Sequence, residues 1–136
     1  MANSFEFITK KVNYYIPIFK FYASVFSSFS GMDYLPDSLY TQTQTKFIKY
    51  VRQILKLARH KEILEGIFDN LTDGEKIECL SEIGDSDLNI FTDWFVLLLN
   101  LCKKSPDHYV AKRAENLYNF YKKSFDNVKY DFMEVK

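Results

Sequence analysis

The sequence predicts an all-α protein, and three observations carry that reading. Only four glycines and three prolines interrupt the 136 residues, and no strand–turn–strand pattern or internal repeat is present. Between the few breaks, at Gly31 to Pro36, Thr72 to Gly74, Gly84 to Asp87 and Ser105 to Asp107, apolar residues recur at steps of three and four, the period of a helix face. From Leu88 to Leu101 the chain is apolar on nearly every face (Phe91, Trp94, Phe95, Val96, Leu97, Leu98, Leu99, Leu101). A helix apolar all round must be wrapped by others, so this one is expected at the centre. The expected architecture is one domain spanning residues 1–136, an apolar central helix surrounded by amphipathic helices.

Each element has its own signals. A first helix is expected from about Asn3 to Phe29, with Asn3 or Ser4 as N-cap and Phe5, Ile8, Val12 and Tyr15 on one face; Pro17 should kink or divide it. A second begins at Asp37 or Ser38 and carries Phe47, Val51, Ile54, Leu55 and Ala58 on one face. It is expected to bend near Arg59 and His60 and run on through Ile63, Leu64, Ile67, Phe68 and Leu71. Thr72 or Asp73 should cap a short helix holding Ile77, Leu80 and Ile83, which Gly84 ends. After the apolar helix, the last one should start past Ser105 with Pro106 in its first turn. Val110, Ala114, Leu117, Tyr121, Phe125, Val128 and Phe132 form its stripe.

Composition narrows the function classes. Hydrophobic residues make up 47% and charged residues 26%, which describes a folding chain and not a disordered tail. Eighteen basic and eighteen acidic side chains cancel, which argues against a nucleic-acid partner, because such binders draw their affinity from a basic excess. Cys79 and Cys102 stand in apolar surroundings and read as reduced core thiols of a cytoplasmic protein. The most apolar run, Trp94 to Cys102, contains Asn100 and is far short of the roughly 20 residues a membrane span needs, and the N-terminal stretch is broken by Glu6, Lys10, Lys11 and Asn13, unlike a secretory signal.

Catalysis needs converging groups, and few candidates exist. His60 and His108 are the only histidines, and neither stands at metal-ligand spacing from a cysteine or from the other. Asp85, Asp87 and Asp93 precede and open a helix, where they meet the positive end of its dipole. The glycines form no phosphate-cradling pattern, and the aromatics sit at helical spacing, as core residues do. No enzyme, metal or cofactor is expected.

The stretch from Val51 to Cys102 resembles the middle of a Bcl-2 family protein. "VRQILKLARHKEILEGIFDNLT" is similar to the family's second and third helices, with Leu55 at the leucine of the Bcl-2 homology 3 motif. "EIGDSDLNIFTDWFVLLLNLC" resembles the homology 1 region running into the central helix, with Asn89 as the matching asparagine. "AENLYNFYKK" looks like the helix behind it. The departures are specific. Arg59 and His60 replace the small-residue and aspartate pair of homology 3. Asn89, Ile90, Phe91 and Thr92 stand for the Asn-Trp-Gly-Arg core of homology 1, so the arginine that meets a ligand's aspartate is missing. No homology 2 tryptophan pattern and no membrane anchor is seen near the C-terminus. Such erosion is similar to virus-encoded members.

The resemblance implies a Bcl-2-like helical bundle that inhibits apoptosis in a host cell. It would sequester the amphipathic helix of a pro-apoptotic partner in a hydrophobic groove, by the helix-in-groove mode. The residues expected to line that groove are Leu64, Phe68, Leu71, Leu80, Ile83, Asn89, Ile90, Thr92 and Phe95. A second possibility keeps the fold, closes the groove and acts on innate-immune signalling through outer faces. A third is an unrelated scaffold or homodimerisation module, since the stripe from Val110 to Phe132 is close to a heptad pattern. A helix-turn-helix using Glu75 to Leu99 is weaker, its second helix being too apolar to face a DNA groove.

Overall fold

The order of helices follows from where the chain can no longer keep an apolar stripe inward. The computed structural model describes residues 4–85 and 91–124. They form α1 (Ser4–Ser30), α2 (Asp37–Leu55), α3 (His60–Asp69), α4 (Asp73–Gly84), α5 (Phe91–Lys104) and α6 (His108–Ser124), with no strand among the described residues. The protein is all-α, as its periodicity predicts.

In α1, Val12, Tyr15, Phe19, Ala23 and Phe26 are buried at steps of three and four. Phe5, expected on that face, is 75% exposed, two turns before the buried stretch begins at Val12. Pro17 does not divide the helix. It lies on the exposed side with Asn13, whose carbonyl loses its helical donor, and there water can replace the missing bond. Phe19 meets Phe47 of α2 and Phe68 of α3 edge to face, with centroids 5.2 and 5.8 Å apart. Each such contact contributes about 0.5–1.5 kcal/mol beyond burial.

The expected bend after α2 is a full break. The helix ends at Leu55, and Arg59 adopts a left-handed conformation, φ 61°, before α3 starts at His60. A left-handed non-glycine residue costs roughly 1–2 kcal/mol, and the Arg59–Glu62 ion pair holds the turn. Helix α3 then packs on α1 so closely that a Cβ built at Gly66 would lie 2.7 Å from Val12 Cγ2.

Helix α4 starts as its sequence promises. The backbone N–H of Glu75 donates to Thr72 Oγ1 (3.1 Å) and that of Thr72 to Glu75 Oε1 (2.8 Å), a complete capping box. Lys20 Nζ reaches the same Glu75 at 2.9 Å, tying α1 to α4. Burial works to raise the Glu75 pKa, but the Lys20 ammonium and the Thr72 hydrogen bonds outweigh it and hold the carboxyl below its usual value.

Helix α4, and not α5, is the wrapped element. It packs against α1, α2, α5 and α6, and it buries Ile77, Cys79, Leu80, Glu82 and Ile83. Among the residues of α5 whose side chains are described, Trp94, Phe95, Leu98 and Leu101 are buried, while Val96, Leu97 and Leu99 are half-exposed and Asn100 is open. The apolar excess of α5 therefore covers α4 and α6 with one face and leaves an apolar outer flank. Trp94 fastens the join: its Nε1–H donates to the Leu80 carbonyl at 2.6 Å, and its ring stands edge-on to Tyr121 at 4.9 Å.

Gly84 ends α4 for a reason other than the one expected. Its φ is not positive, so it is no left-handed cap. A Cβ there would lie 2.7 Å from Trp94 Cζ2 and 3.1 Å from the Tyr121 ring, so the position is glycine to admit those rings. Asp85, expected to open the next helix, instead accepts a hydrogen bond from Tyr121 at 3.2 Å. Burial, then the Asp85 charge, push the Tyr121 phenol up to about 12. The N-cap of α6 is Asp107, whose carboxylate accepts from the N–H groups of Tyr109 (2.9 Å) and Val110 (3.3 Å); Pro106 lies one residue before the cap and not in the first turn. Val110 and Ala114 of the expected stripe are buried, and Leu117 and Tyr121 pack half-buried; Phe125, Val128 and Phe132 lie outside the described residues.

Candidate partner-binding cleft

The expected groove residues fall on α3, α4 and α5. Leu64 (1% exposed), Phe68 (2%), Leu71 (6%), Leu80 (1%), Ile83 (3%) and Phe95 (2%) are all buried, so they serve as core and do not form an open floor. Asn89 and Ile90 lie outside the described residues, and of Thr92 only its place in the first turn of α5 is described. The physical reason for closure is that α3 is anchored from behind. Phe68 packs on Phe19, and the apolar face of α3 is spent on α1.

What opens to solvent at this seam is a cleft of about 160 Å³ where α3, α4 and α5 meet. Phe68 and Leu80 border it from the core side, Leu97 and Leu101 from α5, with Lys76 and Lys104 among its polar borders. A shallower hollow of about 10 Å³ continues beside it along α3 and α5, bordered by Leu64, Val96 and again Leu97. Asp93, in the first turn of α5, lies 3.4 Å from His60 Nε2 and 3.7 Å from Lys61 Nζ, bracing α5 against the start of α3 at that end. Leu71, Ile83 and Phe95 border neither space among the described residues.

An apolar hole of roughly 150 Å³ takes a molecule of benzene's size, so the cleft fits one large apolar side chain, not the several anchors of a whole helix face. Reading α5 as wrapped on all sides hid Leu97 and its neighbour Leu101 one turn on. Their i, i+4 spacing, which puts half-exposed Leu97 one turn before buried Leu101 at the edge of the packed face, was the available signal.

The described residues contain no group of three or more His, Cys, Asp or Glu side chains that could hold a metal, and no helix among them is long and apolar enough to cross a membrane. Cys79 and Cys102 are unbridged. Cys79 sits 3.7 Å from the Phe19 carbonyl, and burial pushes both thiols up, away from the thiolate that nucleophilic chemistry needs. No family model matches the chain, and neither a curated protein nor a solved structure does.

Proposed function

We propose that the protein restrains cell death by binding the amphipathic helix of a pro-apoptotic partner, seated at the α3–α4–α5 cleft. The observation supporting this is the coincidence of place. Phe68 and Leu80, named from the Bcl-2 resemblance, border one cleft, with half-exposed Leu97 as an apolar ledge beside it. A partner helix would insert one anchor side chain and lie along the outer flank of α5. Deeper engagement requires α3 to move off α5.

The test is titration of a panel of amphipathic death-motif peptides. Leu97→Ala should weaken binding by about 2 kcal/mol, the loss typical of a central anchor contact, while leaving the fold intact because Leu97 is only half-buried. Phe68→Ala is the poorer probe: Phe68 is core, and its loss should cost about 3–5 kcal/mol of stability. Thr92→Arg restores the family's missing arginine and should tighten binding of aspartate-bearing peptides, with the gain shrinking as salt is added. Absence of binding for every peptide at high micromolar concentration would sink the proposal.

The burial of all six described groove residues favours a second reading, a closed-groove member acting on innate-immune signalling through its outer faces. A wild-type protein that folds yet binds none of the peptides would point there.

A further inference from the structure

The balanced charge of the whole chain conceals a segregation along it. From Asp37 to Lys61 six basic residues (Lys46, Lys49, Arg52, Lys56, Arg59, Lys61) face one acid, Asp37; from Asp73 to Asp87 six acids face one base, Lys76. Helix α2 buries Phe47, Ile48, Val51 and Ile54. At 100° per residue, Lys46, Lys49, Arg52 and Lys56 fall on the opposite, exposed side. Arg59 pairs with Glu62 and Lys61 with Asp93, but these four have no carboxylate within ion-pair distance among the described residues.

A shallow depression of about 550 Å³ runs along this face, bordered by Lys49, Arg52 and Lys56 together with Gln44 and Gln53. The Tyr15 hydroxyl donates to Gln53 Oε1 at 3.3 Å, which leaves the Gln53 amide hydrogens to donate elsewhere. Gln44 donates inward to Glu82 at 2.8 Å, and that carboxylate is 8% exposed. The face thus offers cations and amide donors in a row spanning roughly 15 Å from Lys46 to Lys56.

We propose that the exposed face of α2 binds the phosphate backbone of a nucleic-acid duplex without reading its sequence. A row of cations suits a linear polyanion, and Lys, Arg, Gln and Thr are the side chains that contact backbone phosphates. Protein-interface cores are enriched in aromatics and depleted in lysine, the reverse of this face. A lipid surface calls for apolar side chains to insert beside the charges, and the only apolar one here, Ile48, is buried. On α2 itself Tyr50 packs half-buried on Tyr22 at 6.1 Å and Phe47 is buried, so the helix provides no platform for stacking single-stranded bases.

The test is anisotropy titration of a labelled DNA duplex at several salt concentrations. Four phosphate contacts give a slope of log affinity against log salt of about −3.6, so a fourfold rise in salt should weaken binding about a hundredfold. Lys49→Glu with Arg52→Glu should weaken binding at low salt at least tenfold and flatten the slope by about 2; circular dichroism checks the fold. Lys49→Gln with Arg52→Gln removes the charges without reversing them and should flatten the slope as much. Lys112→Glu, on exposed α6 surface, should change the slope little. No binding at low salt, binding indifferent to both α2 variants, or binding to phosphatidylserine vesicles but not to duplex would each overturn the proposal.

Discussion

Glu82 shows how one side chain can decide the behaviour of its surroundings. It is 8% exposed, and its carboxylate accepts from the Tyr40 hydroxyl at 2.6 Å and from the Gln44 amide at 2.8 Å. Burial pushes its pKa up, the two hydrogen bonds pull it down, and the nearby charges of Asp85 and Glu78 add to the rise; burial wins. A carboxyl that holds its proton more tightly when folded than when unfolded loses stability as pH climbs from its usual value near 4.5 through the raised one. Glu82→Gln keeps an acceptor for both donors and removes the charge. Its stability relative to wild type, measured by chemical denaturation, should therefore improve as pH rises from 4.5 and then level off. A difference independent of pH would show that Glu82 carries no such penalty. Glycines act at the same scale. Gly84→Ala gains helix propensity of up to about 1 kcal/mol, yet drives a methyl into Trp94 and Tyr121. Overpacking of that kind costs about 1–3 kcal/mol, so thermal unfolding should show a net loss.

Among the elements, α4 had legible ends but an illegible position, and it proved the most buried. Its capping box could be read directly, because Thr72 and Glu75 are three residues apart and their bonds are local. Thr72→Ala should cost about 1 kcal/mol in denaturant unfolding. Its central position could not be read, because Lys76, Glu78 and Glu82 make it look like a surface helix. What allows Glu82 inside is Tyr40 and Gln44, about forty residues earlier, a pairing no local pattern announces. Helix α5 misled in the opposite sense: nearly every letter is apolar, yet Val96, Leu97 and Leu99 are half-exposed. Leu98, at 0% exposure, is the residue that joins it to the core, and Leu98→Ala should cost about 2–5 kcal/mol. A loss under roughly 0.5 kcal/mol, the surface range, would mean that α5 does not pack as described.

At the scale of the whole molecule, α1, α2, α5 and α6 pack around α4, and the cleft between α3, α4 and α5 is the proposed seat of a partner helix. The all-α class was legible because stripes such as Phe5, Ile8, Val12 and Tyr15 declare a period within one helix, although only Val12 and Tyr15 of that stripe are buried. The candidate site was legible only in part. Phe68 and Leu80 were named in advance, but Leu97 and Leu101 were not, since their role depends on where the other helices leave the edge of α5's packed face uncovered. The most direct measurement is methyl chemical-shift mapping as an amphipathic death-motif peptide is titrated in. The account predicts the largest shifts at Leu97, Leu101 and Leu80, with α3 methyls such as Leu64 following as that helix yields. Shifts confined to α1, around Ile8 and Val25, which border neither the cleft nor the hollow beside it, or no shifts at saturating peptide, would contradict it.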